Sequence, residues 1–522
     1  MERISHLGPL SLGEKTLLAA QGSGERAVLA SGDQPTEPTD ETRIRAELLR
    51  ILLIGSDPKF KSHQAGVRLR GAWVTGQVDL QGCQIGADIT LSKSVLEKAP
   101  NLVNSRLRGL HISGCELPGL IADQAHFDGP LFLRAGCLVT GEISLPSARI
   151  DGDLQLCDVD LRVDRGVALF ANGLTVLGSI YMGDHPYSPN DTVFTSTGAM
   201  YLASARIDRD FYIKNVSVSG DEDAFQQSQF DGAEGSEGMA LSLARCSVGG
   251  VFFAKALRVS GGIVNLSGAK VKRLNDEPDA EDASFRVRLD GFEYASFAQH
   301  TNISVQARLA WLDRKPSTIG FSAQPFEQLA RVYEQLGHRD DADLVRMAKE
   351  ELQREDDIHA LRDRGARLRP FLLTCSKALL KYLVGYGYRP IYALIWTIVL
   401  IALTSAFFHI TWKKGDMAPN SAPILVSQDW VAATISTPSN PAEFWSSPGQ
   451  AGQDYETFHP VAYAADLFIP IVNFGQEDAW APSTSRSPWG RQGWWIRWVA
   501  KLLGWVFTAL VAAAVTGVIR RG

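Results

Sequence analysis

The residues best placed for chemistry lie late in the chain, where YAADLFIPIVNFGQEDAW (463–480) passes from an apolar run through Asn473, Gly475 and Gln476 to the adjacent acids Glu477 and Asp478. An apolar half-helix, a glycine turn and paired acids could line a cation pathway in which Glu477 and Asp478 form a ring contributed by several subunits, which makes Asn473, Gly475, Gln476, Glu477 and Asp478 the candidate pore or loop site. The same order suits an interfacial helix whose acids stay in external water, because Pro470 interrupts the helix and unsatisfied backbone in lipid is costly. The T-x-G-Y-G potassium filter is missing, and GYGY at 385–388 precedes the apolar segments. No G-x-S-x-G, H-E-x-x-H, P-loop or strand-borne G-x-G-x-x-G is present, so nucleophile, zinc-protease, nucleotide and dinucleotide chemistry have nothing to rest on. Asp158, Asp160 and Asp164 read as solvated turn acids rather than calcium ligands. The six cysteines contain no C-x-x-C pair, and His111 and His126 read as outward residues. No catalytic, cofactor-binding or metal residue is expected, and no cofactor.

Those acids need a scaffold, and the composition shows what kind. Of twelve tryptophans, ten lie after residue 389, where the longest apolar runs also occur. Residues 390–412 (PIYALIWTIVLIALTSAFFHITW) carry no formal charge and are long enough to cross a hydrocarbon core of about 30 Å. Residues 502–519 (LLGWVFTALVAAAVTGVI) are also uncharged, follow the aromatic-basic lead WWIRWVAK and are closed by Arg520 and Arg521. Ala509, Ala513 and Gly517, at four-residue spacing, offer a packing face for a homo-oligomer. Arg362, Arg364, Arg367, Arg369, Lys377, Lys381 and Arg389 precede the first span against the single acid Asp363. The loop 415–490 has eight acids and only Arg486. By the positive-inside rule both termini and the N-terminal region face the cytoplasm. No N-terminal signal peptide is read from residues 1–30. The formal net charge of −6 argues against nucleic acid as the main partner.

From residue 66 to about 275 one short pattern recurs, small-x-φ-x-G-x-φ with φ apolar, as in A72-W-V74-T-G76-Q-V78, C115-E-L117-P-G119-L-I121 and A148-R-I150-D-G152-D-L154. Its first apolar marker falls at Val74, Ile85, Leu107, Leu117, Phe127, Val139, Ile150, Val176, Ile207, Val248, Val259 and Val271, and nine of these twelve have glycine two residues on. Short period-2 strands between tight turns follow, and stacking them builds one continuous core. The spacing predicts a mainly β fold, a β-solenoid. Cys83, Cys115, Cys137 and Cys246 occupy the small position that Ala72, Ala125, Ala148, Ala205 and Ala269 fill elsewhere, so they read as core spacers. The acidic stretch 220–238 reads as an extruded loop.

This periodicity resembles the pentapeptide-repeat solenoids over residues 66–300, which implies a right-handed β-solenoid. The expected organisation is then an N-terminal helical cap (1–65), the solenoid (66–300), a helical hairpin connector (301–360), a basic amphipathic juxtamembrane helix (361–389), a first membrane helix (390–412), an external loop (413–490) with a re-entrant segment at 460–480, and an interfacial lead with the second membrane helix (491–522). The whole arrangement, and above all QPFEQLARVYEQL (324–336) and FIPIVNFGQEDAW (468–480), looks like a bacterial membrane-associated family whose members often carry the label "membrane-associated oxidoreductase". The resemblance implies the bacterial inner (cytoplasmic) membrane; the label alone implies redox activity, for which this chain shows no flavin, nicotinamide, haem or thiol-pair signature. The functional expectation is a membrane-anchored scaffold that binds an unidentified protein partner, contacts membrane lipid and couples the two. An oligomeric two-span cation channel is the alternative.

Overall fold

The computed structural model describes residues 3–57, 59–60, 63–164, 166–186, 192–220, 238–278, 285–316, 320–363, 368–389, 391–437 and 439–515. The chain divides into two compact units, Met1–Arg346 and Met347–Gly522.

In the first unit a two-residue strand such as His126–Phe127 or Arg149–Ile150 cannot bury its own apolar face. It is stabilised by parallel pairing with its counterparts in the repeat. The marker residues therefore lie one above another: Ile85 pairs with Leu107, Leu107 with Phe127, Phe127 with Ile150, Ile150 with Val176, Val176 with Ile207, Ile207 with Val248, and Val248 with Val271. Eleven of the twelve markers are buried, and Val259 is half-buried. A separate sheet of seven short parallel strands repeats the device through Ile121, Ser144, Phe170, Tyr201, Ser242, Asn265 and Arg288.

The expected class is corrected here. Instead of a mainly β, pentapeptide-repeat-like right-handed β-solenoid, the first unit holds one sheet of twenty strands whose bonding closes into rings, and long helices fill the C-terminal unit, so the chain is α/β-like. One ring shows the pattern: Leu154–Leu161 pairs with both Ile180–Gly183 and Phe194–Ser196, and both of these pair with Phe211–Ser219. The physical reason lies in strand length. Strands run from two to fourteen residues, the longest being Ser247–Ser260, so no uniform five-residue step sets the register. Left-handed backbone occurs at residues other than glycine, in turns at Asn104 and Gln124 and inside the long strands at Asp158 and Asn215. At Gly183 (φ 84°) only glycine fits, since a Cβ would lie 1.9 Å from the Lys214 carbonyl oxygen.

Residues 1–65 hold helices α1 (Leu12–Ser23) and α2 (Ala46–Ile54) together with strands Ala27–Val28 and Arg43–Arg45, which join the large sheet. Ser11 and Glu14 form a reciprocal cap on α1. At the other end, α3 (Val305–Leu312) and α4 (Gln324–Gln335) cover the last strand of the large sheet: Gln328 donates to the Tyr294 carbonyl at 2.6 Å, and the Tyr333 hydroxyl donates to that of Ile303 at 2.5 Å. Fully buried Arg308 forks onto Asp276 at 2.7 and 2.9 Å, with its guanidinium 4.4 Å from the Phe297 ring centre. Gly337 (φ 85°) separates α4 from α5 (Arg339–Asp363), inside which the two units divide. The acidic stretch 221–237 lies outside the described residues.

In the second unit, α6 (Leu368–Val384) is tied to α5 by Lys381–Glu351 at 2.6 Å and by Lys377–Glu355, and it leaves Phe371, Leu372, Leu379 and Tyr382 exposed. Helix α7 (Ile391–Lys413) and a later helix over 488–515 are long and apolar enough to cross a membrane, and most of their surface is not buried by the rest of the protein. Between them, residues 413–487 fold into α8 (Ala422–Leu425), α9 (Gln428–Ser436), α10 (Pro441–Trp445), α11 (Pro460–Phe468) and α12 (Gln476–Ala479), closed by an antiparallel pair, Met417–Pro419 with Trp480–Pro482. Trp412, Phe458, Tyr463 and Trp480 form its aromatic core.

Arg308→Met is expected to lower the unfolding free energy by about 3 to 5 kcal/mol, because Asp276 would remain buried without its partner. Adding Asp276→Asn should recover part of the loss. Denaturant unfolding followed by circular dichroism measures both, and near-wild-type stability of the single variant would show that the pair does not secure this end of the sheet.

Candidate functional site

Helix α11 starts with Pro460 in its first turn and ends at Phe468, two residues before Pro470, because the residue preceding a proline disfavours helical backbone. Its carboxylate Asp466 reaches forward and accepts the backbone N–H groups of Phe474, Gln476 and Glu477 at 2.5, 2.8 and 3.1 Å. Those three bonds fix the turn that Gly475 (φ 78°) makes possible and satisfy the start of α12.

The five sequence-predicted loop residues are brought together, but into an internal network. Gln476 is buried, donates to Glu456 and to the Thr457 carbonyl at 2.9 Å each, and accepts from the His459 N–H at 2.8 Å. Asn473 donates to Asp478 at 3.0 Å and accepts from the Gly475 N–H at 2.6 Å. Glu477 takes the Arg497 guanidinium at 2.6 and 3.0 Å and the Lys501 ammonium, all within one chain. Both cations lie on α13 (Pro488–Val515) one turn apart, so they share a face. A cleft of about 230 Å³ is bounded by Asp466, Asn473, Glu477, Asp478, Lys501 and Trp505. Sequence reasoning missed Asp466, Arg497 and Lys501; the available signal was the i, i+4 spacing of the two cations within an otherwise aromatic-apolar lead. Phe468 is core, with its backbone lying against Gly504 of α13, whereas Ile471 at the loop tip is 83% exposed. On α13, Ala509 is exposed, Ala513 is half-buried and Gly517 lies outside the described residues.

A second arrangement stands on the outward face of the large sheet in the first unit. Period-2 alternation puts Thr90, His111, Phe132, Gln155, Tyr181, Tyr212, Phe253 and Asn275 in one cross-strand row. His111 and Phe132 meet edge to face at 5.1 Å, Tyr181 stacks on Tyr212 at 5.3 Å, and Tyr212 meets Phe253 at 5.3 Å. The parallel row two residues on carries Arg134, Lys214 and Lys255. Arg134 lies 5.0 Å from the Phe132 ring centre and Lys255 5.4 Å from that of Phe253. Lys214 pairs with buried Asp184.

Other groupings offer less. His126 lies 3.1 Å from Asp151 and 3.5 Å from Asp128, a spacing that could hold a cation, yet Arg106 and Arg149 already pair with the two carboxylates. An apolar cavity of about 420 Å³ lined by Phe252, Leu266, Leu274, Val287 and Trp311 includes Asp276, which is held by Arg308. Burial pushes the Cys115, Cys157 and Cys246 thiols up to about 12, so they are protonated at neutral pH, while Cys83 is only half-buried. No protein-family model matches the chain, and neither curated proteins nor solved structures gave a match.

Glu477→Gln should destabilise the second unit by about 1 to 3 kcal/mol, because Arg497 and Lys501 lose their shared counter-charge. Asp478→Asn, whose only change is at an exposed Asn473 contact, should cost far less. Tryptophan fluorescence melts of the detergent-solubilised protein compare the two, and equal melting would show that the Glu477 network does not support the loop.

Proposed function

We propose that the protein is a membrane-anchored binding protein. Its two apolar helices hold it in the bacterial inner membrane, and the outward sheet face of the first unit takes an extended, acidic protein segment and couples that partner to the membrane. The observation that carries the reading is the in-register row His111, Phe132, Tyr181, Tyr212 and Phe253, flanked by Arg134, Lys214 and Lys255. Aromatic rings supply contact area at low entropic cost, and cations held over them favour an acidic partner. Conduction through Glu477 is not part of this reading, since its charge is neutralised within its own subunit. The basic flank before α7 supports cytoplasmic termini with residues 413–490 outside, and exposed Ala509 leaves a face on α13 for self-association.

A photoreactive phenylalanine analogue at Tyr212 of the full-length protein in its native membrane should give one discrete adduct. Phe253→Ala with Lys255→Glu should cut its yield by roughly tenfold, as expected for the loss of about 1.4 kcal/mol of binding. The same adduct at equal yield from exposed Glu97, or a yield indifferent to the double change, would remove the sheet face from the proposal. Orientation has its own measurement: a cysteine at exposed Asp454, in a Cys375→Ser background, should react with an impermeant maleimide in intact spheroplasts. Labelling only after permeabilisation would reverse the topology.

A further inference from the structure

At the low-numbered end of the same sheet face, where the ring row ends in His111 and Thr90, lies a groove of about 530 Å³. The ladder builds it from two outward rows. Arg70 pairs with Ser92, Ser92 with Ser113, and Ser113 with Arg134; alongside, Arg68 pairs with Thr90 and Thr90 with His111. In the first row the middle strands carry Ser92 and Ser113 between the arginines of the outer strands, and in the second Thr90 and His111 follow Arg68; the short hydroxyl side chains beside the long arginines leave the recess. Arg26 adds a fourth guanidinium to the lining. Parallel strands lie about 4.8 Å apart, so three steps put the Arg70 and Arg134 strands about 14 Å apart.

Charge distinguishes this recess from the rest of the face. Four guanidinium groups line it against one carboxylate, Asp88, which also has Arg108 at 3.7 Å. Among the described residues, Arg26, Arg68 and Arg134 make no ion pair within 4.0 Å. Arg70 is held by its Nε, which donates to the Gly32 carbonyl at 2.8 Å, and Arg134 by the Phe132 ring. Like charges around a concave surface repel and focus a positive potential, which a bound anion relieves. Planar guanidinium forks match phosphate oxygens in pairs, and Thr90, Ser92 and Ser113 offer neutral donors between them.

We infer that this groove binds a ligand carrying two or more phosphoryl groups. A single phosphate engages one end of it; the span from Arg68 and Arg70 to Arg134 calls for a chain of them. A soluble oligophosphate and a multiply phosphorylated lipid headgroup present the same chemistry. The groove shares His111 and Arg134 with the face used in the acidic-segment reading, whereas Arg68 and Arg70 lie at its far end, away from the Tyr181, Tyr212 and Phe253 rings, so Arg68→Ala tests it apart from that reading.

The test is calorimetric titration of sodium tripolyphosphate into the full-length protein in phosphatidylcholine nanodiscs. Saturable binding is expected, at least roughly tenfold tighter than inorganic phosphate or citrate. It should weaken roughly tenfold or more in Arg68→Ala and in Arg134→Ala, the cost of one lost charge-assisted contact. Arg134→Lys keeps the charge without the fork and should fall between, with melting temperatures confirming that each variant is folded. Nanodiscs doped with a phosphatidylinositol bisphosphate separate the sources: competition with tripolyphosphate assigns the groove to a headgroup, and an unchanged titration assigns it to the soluble ligand. Absence of saturable binding, equal affinity for citrate, or binding unmoved by both alanine variants would overturn the proposal, and none of these results bears on the Tyr212 adduct.

Discussion

Parallel pairing between corresponding strands is the constraint on which the first unit depends. A strand of two residues offers its neighbours little more than two backbone bonds and one inward side chain, so it persists only while the strands on both sides hold the same register. Buried apolar residues therefore stack directly on their counterparts, as Leu107, Phe127, Ile150 and Val176 do. Each ladder must end somewhere, and an open end exposes both apolar surface and unpaired backbone groups. At the far end α3 and α4 supply the cover, fixed by side chains that reach the last strand: Gln324 accepts from Gly291 and donates to the Phe292 carbonyl, and Gln328 bonds Tyr294.

The second unit solves a different problem, placing charge next to apolar helices. Arg497 and Lys501 precede the most apolar part of α13, and Glu477 meets both. A pore ring needs acids whose charge remains available to passing ions. Glu477 is instead mostly buried against two cations of its own chain, and Asp466 devotes its carboxylate to three backbone donors. The loop is a folded element with its own aromatic core, and Ile471 at its apolar tip is 83% exposed.

Much of this was legible from residue order, and the failures have identifiable causes. The small and apolar positions of the repeat could be read because core packing at every level imposes the same demand; Cys115, Cys137, Cys246 and their alanine equivalents are buried as the pattern requires. The two long apolar helices were equally visible, since hydrocarbon thickness sets their length. Fold class was not. Strand length depends on how far neighbouring levels keep pairing beyond the marker, and that is a property of the assembled ladder. The Glu477 network was missed because its partners are twenty and twenty-four residues away, and Glu477 itself is placed by the turn that Asp466 holds.

The outward face follows from the inward one. With side chains alternating along each strand, fixing the buried register also fixes which outward residues become neighbours, so the ring row and the arginine groove are placed by the same pairing that builds the core. A slip of one residue would bury the aromatics and expose the core, which makes loss of binding and loss of folding hard to separate by disruptive changes. Substitutions confined to the outward set avoid this, because Phe253, Lys255, Arg68 and Arg134 can be shortened while the inward residues beside them keep their contacts. The small residues Thr90, Ser92 and Ser113 are then as informative as the cations. Enlarging Ser113 would fill the recess without altering its charge, and so separates a site that must admit a ligand from a surface that merely repels like charge.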